Sequence, residues 1–261
     1  MFEAIRNWKR KRVLATSDIP DVMWRVAIAE LPFLKIYTPE ELARLREQVV
    51  LFLSEKSIVS AHGFAVTPLM RVMIALQASV LTLNLGADCY DGWETVIVYP
   101  DEFVTRGEFE DEAGVVHLHE EALAGEAMPR GPVVLSWPDV KAGADWANAG
   151  MNLVLHEFAH KLDMRNGEAN GCPPLPSSLS AAVWRRTMQA AFDDFRLRVD
   201  RNEDTAIDPY ACESPAEFFA VLSEVFFADP LLLRREYPEV YALFTEFYKQ
   251  DPAARMEPLV Q

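Results

Sequence analysis

Residues 153–163 read Leu-Val-Leu-His-Glu-Phe-Ala-His-Lys-Leu-Asp and contain one H-E-x-x-H. In a helix, the spacing of four stacks His156 and His160 on one face, where both imidazoles can reach a single ion. Glu157 follows the first histidine and can lean over the open side of a bound metal to take a proton from water. Leu155, Phe158 and Ala159 suit a half-buried helix around a dry site. A surface helix carrying the trio by chance is the bland alternative. The apolar flanks speak against it, because a buried, unpaired imidazole pair is costly. The chemistry implied is hydrolysis by water on a zinc ion, one per chain.

A catalytic zinc site needs a third protein ligand and keeps its fourth position for water. Residues 161–166 lack the Gly and His that the longer metzincin motif requires, which leaves Asp163, Glu213, Glu217 and Glu224 as candidates. Helical register places Glu217 and Glu224 on one face, seven residues apart, with Val221 between them. Glu217 has a competing duty, since Ser214-x-x-Glu217 is also a capping box. Two carboxylates turned toward an apolar core are costly without a metal or hydrogen-bonding partners, which favours the metal role. Asp163 and Glu224 are candidates for orienting the ligating imidazoles from behind.

The elements that must position these groups are mostly helical. Thr38-Pro39-Glu40-Glu41 is a strong helix start, and Thr67-Pro68 opens a very apolar helix running to about residue 85. Residues 20–29, 180–199 and 230–249 also carry helical periodicity, and the first third reads as all helix. Residues 1–14 could form a short helix with Phe2, Ile5 and Trp8 on one side and basic residues beyond, suited to a membrane surface or a partner, but are read as a solvated terminal arm; 251–261 is a weakly patterned tail. Thr95–Tyr99 is a β-rich run. Asp101 to Glu112 reads as an acidic loop, and His117 and His119 fall on one face of a short strand without the succession of strands that a metal-binding barrel needs. Residues 133–137 form a strand whose Pro132 suits a sheet edge, where an extended peptide could pair beside the metal. Gly167 suits the end of the motif helix.

Composition narrows the function. The chain has 261 residues, 40 acidic against 25 basic, and a net charge of −15, which argues against direct nucleic-acid binding. Cys89, Cys172 and Cys212 are too few and too scattered for a disulfide framework and fit a reducing compartment. With no signal peptide pattern and no transmembrane segment, the expectation is a cytoplasmic protein.

The segments 156–163, 208–211 (Asp-Pro-Tyr-Ala) and 215–224 (Pro-Ala-Glu-Phe-Phe-Ala-Val-Leu-Ser-Glu), with Gly131-Pro132 and the strand after it, resemble the Mlc titration factor A family of glucose-regulated metallopeptidases across nearly the whole chain. The Tyr-Ala and Ala-Glu-Phe-Phe-Ala segments are also similar to the catalytic domain of anthrax lethal factor. The resemblance implies an α+β, mostly helical, zincin-like fold of the gluzincin type with a small mixed sheet. It implies a single domain over 1–261, with a helical N-terminal part (1–88) and a catalytic part (89–261). His156, His160 and Glu217 would bind zinc, Glu157 would be the general base, and Tyr210 would assist at the tetrahedral intermediate. It further implies aminopeptidase-like action on peptides and the repressor Mlc as a partner. The rival reading is a regulatory protein that sequesters a transcriptional repressor, with zinc mainly structural.

Overall fold

A computed structural model describes the backbone of residues 2–110, 116–145 and 151–260. The fold is α+β and mostly helical. Helices α1 (Phe2–Thr16), α2 (Asp21–Ala29), α3 (Pro39–Glu55) and α4 (Pro68–Thr82) come first, with strand β1 (Ser57–Ser60) between α3 and α4. Strands β2 (Thr95–Tyr99), β3 (Phe103–Glu110), β4 (Val116–Leu123), β5 (Gly125–Ala127) and β6 (Val133–Ser136) follow. The rest is helical: α5 (Trp137–Gly143), α6 (Leu153–Asp163), α7 (Ala181–Asp200), α8 (Pro215–Ala228), α9 (Pro230–Glu236), α10 (Pro238–Tyr248) and α11 (Pro252–Val260).

The main sheet has the order β1-β2-β6-β5, with β1, β2 and β6 parallel and β5 antiparallel at one edge. Parallel strands need both faces covered, and the strands show it: Val96, Val98 and all of β6 are buried. The first third is therefore not all helix, because β1 supplies a strand to this sheet. Pro132 does not mark an edge. It precedes β6 at the sheet's interior, where the missing N–H falls before the ladder begins, and its carbonyl accepts from Met128 N at 3.1 Å. The stretch expected as an acidic loop is largely strand β3. Its Phe-Val-Thr start pairs antiparallel with β4, so the backbone ladder outweighs the acidic composition. His117 and His119 lie on β4 opposite Phe109 and Gly107, and their side chains lie outside the described residues.

Two further expectations are corrected. The basic N-terminus forms the short helix its pattern allows, but docked rather than solvated: Arg6 and Arg10 pair with Asp88, Asp91 and Glu55, while Val13 and Leu14 pack on the core. Its exposed side carries Ile5 and Trp8. The C-terminal tail forms α11, with Pro252 in its first turn and Arg255 paired with Glu41.

The capping chemistry at α3 and α4 forms as read. Thr38 accepts from Glu41 N while the Glu41 carboxylate accepts from Thr38 N, and Thr67 accepts from Met70 N. Helix α4 is buried along nearly its whole length, including Gln77. That glutamine meets Asn152, the N-cap of α6. Asn152 Oδ1 accepts from Leu155 N at 2.9 Å, and its Nδ2 donates to Gln77 Oε1 at 2.7 Å and to the Gly143 carbonyl at 3.0 Å. One side chain thus fixes the start of α6 against two neighbouring elements.

Replacing Asn152 with Ala removes the cap and strands the buried Gln77 oxygen. The expected loss is about 2–4 kcal/mol of folding stability. A urea unfolding series should show it as a lower midpoint with an unchanged slope, and an unshifted midpoint would show that this network contributes nothing net.

Candidate metal centre

The eleven residues of α6 are all buried, which places the H-E-x-x-H helix inside the molecule. Helix α8 crosses it and brings two carboxylates. His156 Nε2 and His160 Nε2 lie 3.1 Å apart, and Glu217 Oε2 lies 3.0 and 3.2 Å from them. Among the described residues this is the one group of three or more metal-ligating side chains that converge closely enough for an ion. Ligand atoms about 2.0–2.1 Å from a tetrahedral zinc lie about 3.3 Å apart, so the spacing fits such an ion.

Electrostatics point the same way. Burial alone would lower the His156 imidazole, but its hydrogen bonds to Glu217 and Glu224 outweigh that and hold it well above its ordinary pKa. Burial would raise the Glu217 carboxyl, yet the two imidazoles hold it well below the usual carboxylate range. Burial pushes Glu157 up to about 7, against the pull of both histidines. Three carboxylates around two imidazoles, all buried except the half-buried Glu217, make a cluster with a deficit of positive charge. A divalent cation supplies that charge.

Glu213, Glu217 and Glu224 separate clearly. Glu213 is exposed on the turn before α8. Glu217 sits in the first turn of α8, where Ser214 Oγ accepts from its backbone N–H at 3.1 Å. Its carboxylate takes no part in the cap and faces the imidazoles instead. Glu224, two turns on, is 2% exposed; its Oε1 lies 2.6 Å from His156 Nδ1, and its Oε2 accepts from Asn152 N. It therefore fixes the imidazole from the side opposite Glu217, as an outer carboxylate does for a metal-bound histidine.

Asp163 lies differently from the sequence expectation. Its Oδ2 accepts from the backbone N–H groups of Asn170 and Gly171 at 2.7 and 2.6 Å, so it holds the strap that follows α6. Burial raises this carboxyl, and those two N–H groups and the His160 charge pull it back. Asp163 Oδ1 and His160 Nδ1 are both buried without a hydrogen-bond partner, so Asp163 touches the cluster through its charge rather than through a bond. Gly167 ends this region at φ 150°, a conformation open to glycine. Tyr210 stands on a short 3-10 turn (Pro209–Cys212), 49% exposed, its ring centroid 6.1 Å from that of His156.

Three contributors were not singled out by residue type or spacing. Gly125, at the start of edge strand β5, lies directly over Glu157; a Cβ there would sit 2.6 Å from Glu157 Oε1. Lys161, inside the motif helix, donates from Nζ to the carbonyls of Met128 and Gly131 at 2.8 and 3.0 Å, tying the β5–β6 hairpin to α6. Asn152 caps the helix and feeds Glu224. Only Asn152 carried a local signal, an Asn immediately before an apolar helical run.

The model of the glucose-regulated metallo-peptidase M90 family matches residues 5–249. Mlc titration factor A of Serratia proteamaculans is 41% identical over 239 residues, covering 90% of this chain and 90% of its own. The proteins of that name from Pectobacterium atrosepticum and Yersinia enterocolitica are 40% and 39% identical, each over 90% of this chain and 88% and 87% of their own. A match over nearly the whole chain, and relatives this similar along both lengths, place this chain in the glucose-regulated metallo-peptidase M90 family.

Proposed function

We propose that the chain is a zinc-dependent, aminopeptidase-like peptidase with a single zincin-like domain of the gluzincin type over 1–261. His156, His160 and Glu217 hold the metal, and Glu157 is the general base. The observation that carries this reading is the convergence of two Nε2 atoms and one carboxylate oxygen within 3.2 Å beside a buried glutamate. When bound, zinc would acidify a water and polarise the scissile carbonyl.

The remaining work falls to the chain's own groups. Glu157, buried beside both histidines and pushed up to about 7 by that burial, takes a proton from the attacking water and returns it to the leaving amine. Tyr210, half exposed beside His156, donates a hydrogen bond to the developing oxyanion. Glu224 keeps Nδ1 of His156 engaged so that Nε2 points into the site. The edge of β5, unpaired among the described residues, passes Glu157 at Gly125 and offers main-chain groups to an extended substrate, a placement the hairpin supports better than β6. Unpaired cysteines and an acidic surface fit a cytoplasmic location, and among the described residues no helix is long and apolar enough to cross a membrane.

A second reading follows from the relatives' name, which ties those proteins to Mlc. Here the chain would bind a repressor of that kind, with zinc mainly structural. The two functions can coexist, and Glu157→Gln distinguishes them: repressor binding persists in it if binding is separate from turnover.

Glu157→Gln should keep its zinc and lose about a hundredfold or more in kcat on a peptide library, because the amide cannot accept the proton. Turnover near the wild-type rate would remove Glu157 from the role of base.

For the ligand set, elemental analysis and zinc titration should rank three variants. Glu217→Gln should lose most of its zinc, Glu224→Gln should weaken affinity by about 10–100-fold, and Glu213→Gln should be unchanged. Full zinc in Glu217→Gln with loss in Glu213→Gln would reverse the assignment.

Tyr210→Phe should lower kcat while zinc content and KM stay near wild type, since its contact strengthens only in the transition state. A change confined to KM would make Tyr210 a substrate-binding residue instead.

A further inference from the structure

A cavity of about 400 Å³ lies between the strap after α6, helix α7 and the start of α8, and none of its lining residues belongs to the metal cluster. Its inner surface is apolar: Trp184, Met188, Phe192 and Phe218 are all buried. Its rim carries Arg185, and no Asp or Glu lines it. Arg185 is exposed and enters no ion pair or hydrogen bond among the described residues, so its guanidinium is open to a ligand. Cys172, half buried, lines the same cavity as Arg185; its thiol is raised by burial and by the charge of Asp163, which does not line the cavity, and is pulled back by the Arg185 charge.

The walls are held from outside. Trp184 Nε1 donates to the Gly171 carbonyl at 2.9 Å, and the N–H groups of Asn170 and Gly171 are already taken by Asp163. Gly171 itself, at φ 77°, backs onto the Pro215 carbonyl, which a Cβ would meet at 2.4 Å. The strap therefore stands as a fixed wall, and its volume lies within the range of small-ligand pockets, about 300–1,000 Å³.

We propose that this cavity binds a monocarboxylate carried on an apolar body, the body against Met188, Phe192 and Phe218 and the carboxylate on Arg185. One planar guanidinium matches one carboxylate through two parallel N–H···O bonds, whereas a phosphate dianion calls for more positive charge than the rim holds. An apolar floor rewards burial of hydrocarbon at about 25 cal/mol per Å². The same chemistry is offered by a free medium-chain acid and by the C-terminal residue of a peptide. The proposal does not depend on the metal reading.

Cys172 gives a direct readout. Alkylation of the native full-length protein by iodoacetamide is followed by peptide mass spectrometry, with the half-buried Cys212, outside the cavity, as internal reference. The probes are octanoate, octan-1-ol and N-acetyl-phenylalanyl-leucine. A carboxylate should slow Cys172 alkylation with Cys212 unaffected, equally in wild type and Glu157→Gln, and octanol should not. The exposed Arg185→Gln change should raise the half-protecting concentration about tenfold or more, the size of one charge-assisted hydrogen bond. Stronger protection by the peptide than by octanoate would assign the site to a chain terminus, and the reverse to a free acid. Protection by neither carboxylate, or protection that octanol matches or Arg185→Gln leaves unchanged, would overturn the proposal.

Discussion

The constraint on which the rest of the molecule depends is the burial of Glu157 and Glu224, and the half-burial of Glu217, around His156 and His160. Burying such groups costs several kcal/mol per ion unless each finds hydrogen bonds and opposite charge. The fold meets the cost group by group. Glu224 accepts from a backbone N–H as well as from an imidazole. Glu217 is shared between the two histidines. Glu157 has no such pair of donors, and it is the carboxyl that burial raises to about 7. The same burial forces α6 and α8 to cross closely, which their apolar faces allow: Phe158, Ala159, Phe219, Ala220 and Leu222 are all fully enclosed.

A second constraint acts from behind. Lys56 and Lys161 are both buried, and their ammonium groups lie 4.3 and 4.6 Å from the centre of the Trp93 ring. Burial pulls both below the ordinary lysine pKa, Lys161 to about 8 with a further push from Lys56. Among the described residues neither is held by a carboxylate hydrogen bond. Each instead donates to a pair of carbonyls: Lys56 to Tyr90 and Trp93, Lys161 to Met128 and Gly131. An aromatic face and carbonyl dipoles thus replace water around the cations. The consequence reaches the candidate metal centre, because the Met128–Gly131 turn is the bend of the β5–β6 hairpin. Fixing that bend to α6 keeps Gly125, on edge strand β5, against Glu157.

How much of this was legible in the sequence depends on how local each signal is. The H-E-x-x-H spacing, the shared face of Glu217 and Glu224, and the helix starts at Thr38, Thr67 and Ser214 rest on residues within two turns of one another. The structure places them where those spacings lead. What was not legible depends on partners far away in the chain. The Phe103–Glu110 strand has acidic composition and exists through its ladder with β4. The interior position of β6 is decided by β2 on one side and β5 on the other, which no feature of Pro132 could reveal. The basic terminus docks because Asp88, Asp91 and Glu55 wait for Arg6 and Arg10. Asp163, one turn past His160, was open to bonding with an imidazole. The strap's backbone N–H groups reach its carboxylate first, and strap geometry has no short sequence signature.

Two helix starts with the same pattern make the point in miniature. Thr38-x-x-Glu41 and Ser214-x-x-Glu217 both spell a capping box, with proline at the first position. At α3 both halves close: the hydroxyl takes Glu41 N, and the Glu41 carboxylate takes Thr38 N at 3.0 Å. At α8 only the hydroxyl half closes, and the glutamate is released to the imidazoles. The difference is one of competing partners. A capping bond at a helix start contributes about 1 kcal/mol, whereas a desolvated carboxylate shared by two imidazoles draws on charge-assisted bonds of roughly twice the strength each. The stronger partners take the side chain, and the helix keeps enough of its cap to start at the same residue. A local motif therefore marks where α8 begins, while the distant helix α6 decides what its third residue does.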